Sequence, residues 1–251
     1  MIKSKLLTLA LALVLVDFSS CLNIAQAQLS TSQSIVSQRQ KPPVSDRPPQ
    51  DERKPAGTRG ECFDTDIVEH FTPLLPVDDA GFSGFTLTGH PTFWFYIPYQ
   101  NSSLNSGYFY LKNQENTVVY ETKLQFPEVP GFISIILPTN QKSLEKNQQY
   151  SWGLIIYCKE EDPNDLSKNV QHQGMIERVD LAGIETKLEE ATLEKRLNFY
   201  LDNNLWYDAS RDLNQIRDCP QMWRKLLKAI GLENLDQEPI AGSAVVRETS
   251  F

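Results

Sequence analysis

Three histidines, four cysteines and 32 aspartates and glutamates are the reactive side chains of this 251-residue sequence, and their spacing gathers none of them into a reaction centre. His70, His90 and His172 have no histidine or cysteine at metal-ligand spacing. His90 precedes Pro91 at a strand entry, and His172 falls in a polar stretch that reads as a solvated loop. Ser83, between Gly81 and Gly84, reads as part of a glycine-rich turn, without the strand-to-helix context of a nucleophile elbow. Glu160-Glu161-Asp162-Pro163-Asn164-Asp165, and separately Asp64 with Asp66, offer oxygen ligands to Ca²⁺. They lack EF-hand spacing, so a solvated run of charge is the simpler reading. No phosphate loop or dinucleotide fingerprint is present. We therefore expect a non-enzymatic protein with no catalytic or metal-binding residues and no cofactor.

Aromatic side chains are the chemistry that remains. Pro91-Thr92-Phe93-Trp94-Phe95-Tyr96-Ile97-Pro98-Tyr99 alternates as a strand, with Phe93, Phe95 and Ile97 on one face and Trp94 and Tyr96 on the other. Both faces are aromatic, so the second is either covered by another element or open as a stacking platform. Trp94, Tyr96 and Tyr99 are the candidates for sugar stacking. Trp206 and Tyr207, in the helical part, are the candidate anchors for a protein partner.

The elements that must hold these residues fall into blocks. Residues 1–27 read as a secretory signal peptide: Lys3 and Lys5, an apolar run from Leu6 to Val16, then Ala25-Gln26-Ala27 as a cleavage box. Acylation of Cys21 is the rival reading, although Phe18-Ser19-Ser20 is a poor lipobox. Residues 28–60 are rich in Pro, Ser and Gln and predict a disordered linker of net charge +3, able to touch anionic membrane or envelope surfaces. Residues 61–180 predict a β-sandwich, with strands at Tyr108–Leu111, Thr117–Phe126, Gly131–Leu137, Tyr150–Cys158 and Gly174–Val179. From 181 to 232 the apolar period becomes helical. Leu181, Ile184, Leu188 and Ala191 start it, Asp202-Asn203-Asn204 breaks it, and a further helix runs from Asp218-Cys219-Pro220 to Gly231. Residues 233–251 predict a disordered tail. The expected fold is thus α+β: an antiparallel sandwich of immunoglobulin or fibronectin kind, followed by a helical hairpin of about three helices.

Charge and cysteines bound the rest. The whole chain carries a net −8, which argues against nucleic acid as a partner. Once the signal is removed, Cys62, Cys158 and Cys219 remain. In an oxidising compartment they predict one bridge, Cys62 to Cys158, with Cys219 spare.

Thr58-Arg59-Gly60 with Cys62, the Pro91–Tyr99 run, Tyr150-Ser151-Trp152, Cys158, Gly174-Met175-Ile176-Glu177-Arg178-Val179 and Trp206-Tyr207-Asp208-Ala209 follow one another in order. Together they resemble the exported cyanobacterial family known only as domain of unknown function 928, over roughly Gly57 to Leu232. The resemblance implies an envelope setting, periplasmic or extracellular, and no assigned activity. Cys219 is not part of the pattern we associate with it. The leading expectation is a protein-interaction module with an envelope protein as partner. The alternative is binding of a cell-wall or extracellular glycan through exposed aromatics, and a hydrolase ranks third.

Overall fold

The computed structural model describes residues 71–78, 81–158 and 169–247. The expected signal peptide, linker, Cys62 and both candidate Ca²⁺ loops lie outside them. Two β-sheets and a helical part make up what is described, a mixed α+β architecture. The small sheet has the order β1 (Thr72–Pro73), β4 (Thr92–Ile97), β7 (Gly131–Ile136), β10 (Ile240–Ser243). The large sheet has the order β11 (Val245–Arg247), β6 (Val118–Gln125), β5 (Leu104–Lys112), β8 (Gln148–Cys158), β9 (Val170–Arg178), β3 (Gly81–Thr86), β2 (Val77–Asp78).

The alternating residues bring the sheets face to face. Phe109, Leu111, Tyr120, Leu124, Trp152, Leu154 and Ile156 all turn inward from the large sheet and are buried. From β4, Phe93 meets Phe109 at 4.9 Å between ring centroids and Phe95 meets Trp152 at 5.5 Å, edge to face. Such tilted geometries suit the ring quadrupoles, and each ring removes about 150–250 Å² from water. The sheets are not wholly antiparallel as expected. β3 pairs parallel to β9, and β10 parallel to β7. Val118, which simple alternation would put on the same face as the buried Tyr120, is exposed where the β5–β6 register slips between Leu111 and Lys112.

Five short α-helices follow β9 where a hairpin of about three was expected: α1 (Ile184–Glu189), α2 (Leu193–Asp202), α3 (Trp206–Ala209), α4 (Leu213–Arg217) and α5 (Pro220–Ala229). Their boundaries are written in local chemistry. The Thr192 hydroxyl accepts from Lys195 N at the start of α2. Asn204, at φ 57°, ends that helix with Leu205 N donating to Tyr200 O and Asn204 N to Leu201 O. Gly231, at φ 69°, ends α5 in the same way, through Leu232 N to Leu227 O and Gly231 N to Lys228 O. Both are left-handed caps that satisfy the last carbonyls. Pro220 occupies the first turn of α5, where its missing N–H costs nothing.

The chain then returns to the sheets. Ile240–Ser243 adds to the edge of the small sheet and Val245–Arg247 to the edge of the large one. A disordered tail was expected there. The segment is ordered because it supplies main-chain partners to two otherwise open strand edges, β7 and β6.

Candidate functional site

None of the five aromatic residues singled out by the sequence forms an open surface. Trp94 and Tyr96 are 8% and 4% exposed, Tyr99 2%, Trp206 6% and Tyr207 1%. On the outer face of the small sheet, α5 covers Phe132 and leaves Ile136 half exposed. Tyr96 packs on Phe132 at 5.4 Å, and Phe132 meets Trp223 of α5 edge to face at 5.1 Å. Trp206 and Tyr207 are anchors within the molecule. A Cβ at Gly84 in β3 would crowd both rings, so the missing side chain is what lets α3 approach. The Tyr207 hydroxyl accepts from Trp152 Nε1 at 2.6 Å and donates to Met175 O at 2.9 Å. The single hydrogen of Ser210 Oγ is shared between Tyr207 O at 2.9 Å and Thr92 O at 3.3 Å. These bonds tie α3 to both sheets.

Beside Tyr207, Asp208 is buried and accepts from Leu87 N at 2.9 Å. Burial raises its carboxyl to about 6, against the pull of that hydrogen bond and of Arg211. The side chain is enclosed in the helix–sheet contact, so we read it as structural. His172 corrects another expectation. It lies on β9, buried, with Nε2 2.7 Å from Phe71 O and its ring against Phe71 and Phe82. Ser83 belongs to strand β3, where a turn was expected. Neither Cys158 nor Cys219 is a free thiol. That differs from the expectation of a spare Cys219, and the expected bridge partner Cys62 lies outside the described residues. Among the described residues, no three His, Cys, Asp or Glu side chains gather closely enough to hold a metal ion.

The outward face of the large sheet is where aromatic chemistry reaches solvent. The same alternation that buries Phe109 and Leu111 turns Tyr108 and Tyr110 outward and leaves them half-buried. Tyr157 and Ile155 of β8 share this face. The two tyrosine rings of β5 lie 6.0 Å apart at 39°. Tyr110 rests over Gly153 on the neighbouring strand, and any Cβ there would collide with its ring. Lys112 Nζ lies 5.0 Å from the Tyr110 centroid. The Tyr108 hydroxyl donates to Glu121 Oε2, which pushes its ionisation up to about 12 and keeps it a donor at ordinary pH.

One pleat from Tyr110 the face drops into a cleft of about 340 Å³, lined by Asn113, Gln114, Asn116, Gln149, Ser151 and Met175. The β5–β6 turn shapes one wall. Asn116 takes φ 60°, its N–H donates to Asn113 O, and Thr117 N donates to Asn113 Oδ1 at 2.8 Å. Gln149 and Ser151 project from β8, and Met175 lies opposite Ser151 on β9. The lining holds amides, a hydroxyl and a thioether, and no ionisable group. Such a surface can stack a flat apolar ring face and exchange neutral hydrogen bonds. Sequence reasoning placed Tyr108 and Tyr110 on a strand. It did not select them, because Tyr108-Phe109-Tyr110-Leu111 is apolar on both faces and gives no sign of which faces solvent.

Fold and face together define a class: an α+β protein whose smaller sheet is largely buried and whose larger sheet carries an open tyrosine-and-amide surface. The chain belongs to the family described as Domain of Unknown Function (DUF928), whose profile matches residues 54–240. No curated protein and no solved structure matches it.

Proposed function

We propose that this protein is an exported, non-enzymatic glycan-binding module, and that the outward face of the large sheet is its binding surface. The carrying observation is the Tyr108–Tyr110 pair, half-exposed and held in place by Gly153 and Glu121, beside a cleft of neutral hydrogen-bonding side chains. Rigid aromatic rings present area at little cost in side-chain entropy, and amides and hydroxyls satisfy sugar hydroxyls without drawing in a counter-charge. A signal-like N-terminus and the basic stretch before the body support a setting outside the cytoplasm, where envelope glycans are the abundant polymers. The interaction reading built on Trp206 and Tyr207 loses its anchors to the core, as does sugar stacking on Trp94, Tyr96 and Tyr99.

Affinity electrophoresis or calorimetry against a panel of neutral and acidic polysaccharides tests the proposal. We expect the intact protein to bind at least one neutral glycan, and Tyr110→Ala to weaken that binding about tenfold, as loss of one well-placed ring does. The circular dichroism of the variant should not change. Failure to bind any glycan, or equal binding by Tyr110→Ala, would contradict it.

A further inference from the structure

The cleft beside Tyr110 carries the reading one step further, and the step rests on the glycan-binding proposal. We infer that the cleft is a subsite for a 2-acetamido sugar, and hence that the preferred glycan contains N-acetylhexosamine units.

The lining favours that group over a plain hydroxyl. Four of its six residues, Asn113, Gln114, Asn116 and Gln149, carry side-chain carboxamides, and an acetamido group presents the same donor and acceptor pair, so two-point amide pairing is available. Asn113 already uses its Oδ1 to accept from Thr117 N, which fixes the amide and leaves its N–H groups as donors. The Ser151 hydroxyl can act in either sense. Met175, half-buried, is the one apolar member, and its soft thioether suits the acetyl methyl. Its strand is braced from beneath, since Tyr207 donates to the Met175 carbonyl.

Charge decides between the related sugars. Glu115 lies within the turn that makes one wall. A uronic acid would meet this carboxylate, and the lining itself holds no cation to draw it in. Lys112 is the nearest base along β5, and its ammonium lies over Tyr110. A free amino sugar would be drawn only by screened surface charge, which fades with salt. An acetamido sugar alone uses both the amides and the thioether. A sugar ring with its acetamido group in the cleft has Tyr110 one pleat away, within reach of the next ring of the chain.

The test is calorimetric titration of the full chain at 0.15 M and 0.5 M salt. The ligands are N-acetylglucosamine oligomers, their deacetylated counterparts, glucose oligomers of equal length, and cell-wall glycan strands freed of peptide. We expect the acetylated oligomers to bind at least tenfold tighter than glucose oligomers, with little change between the two salt concentrations. In Gln149→Ala and in Met175→Glu this preference should collapse, with thermal unfolding showing that both variants keep the fold. Tighter binding of the cell-wall strands than of the simple oligomers would locate the natural source in the wall, and the reverse would locate it in a free amino-sugar polymer. Equal binding of acetylated and glucose oligomers would overturn the subsite while leaving glycan binding intact. So would tighter binding of the deacetylated oligomers. Absence of binding to every member of the panel overturns both readings.

Discussion

Asp208 shows how a single residue on α3 both joins and burdens the fold. Its carboxylate accepts from Leu87 N across the helix–sheet contact, yet burial lifts its ionisation from the ordinary 3.8 to about 6. Because the folded value lies above the unfolded one, the folded protein holds a proton that the unfolded chain has released between about pH 4 and 6. Stability must therefore fall as pH rises through that window, by about 3 kcal/mol in all, and stay lower above it. Asp208→Asn keeps an acceptor for Leu87 N and removes the charge. Thermal melts from pH 4 to 8 should show the variant without this decline and at least as stable as the parent at pH 7.5. A decline of the same size in both proteins would show that Asp208 is not its source. Nothing in Trp206-Tyr207-Asp208-Ala209 as a sequence announces this burial. The apolar helical period was legible, but a carboxylate within it reads as solvated until the facing strand is known.

At the scale of elements, the strands were legible wherever one face is apolar and the other polar. β6 and β8 match their expected ranges within two residues, since Leu124 against Lys123 and Leu154 against Gly153 give the alternation away. Helix ends were legible too, because Asn204 and Gly231 sit where left-handed caps are needed. β4 and β5 were legible as strands but not in orientation. Each is aromatic on both faces, and only the tertiary packing decides that Trp94 is covered while Tyr110 is not. The C-terminal strands were not legible at all. Ile240–Arg247 has too short an apolar pattern to order itself, and it becomes ordered only against edges formed some hundred residues earlier in the chain. Ending the chain after Asp236 keeps the bond from Trp223 Nε1 to Asp236 O but removes both edge pairings. We expect the melting temperature to fall by about 4–8 °C, the shift that ~2 kcal/mol produces in a chain of this size, with a greater tendency to aggregate. An unchanged melt would show that these strands add nothing to the fold.

Taken whole, the described part of the molecule is asymmetric in a way that bears on function. The small sheet has the large sheet on one side and α5 against Phe132 on the other, while Tyr207 packs on the inner face at Phe93 and, with Ser210, ties α3 to both sheets. The large sheet keeps one face turned to solvent, carrying Tyr108, Tyr110 and Tyr157, with a neutral cleft at the Tyr110 end. The aromatic wealth of the sequence thus divides into a covered share that builds the framework and an open share that can meet a ligand. The most direct test is residue-resolved NMR of the protein titrated with N-acetylglucosamine oligomers. We predict that the shifted amides cluster at Tyr108–Lys112, Asn113–Thr117, Gln149–Gly153 and Met175, while Trp94, Tyr96 and Trp206 stay in place. Shifts centred on the helices or on the small sheet, or none at all, would contradict the account.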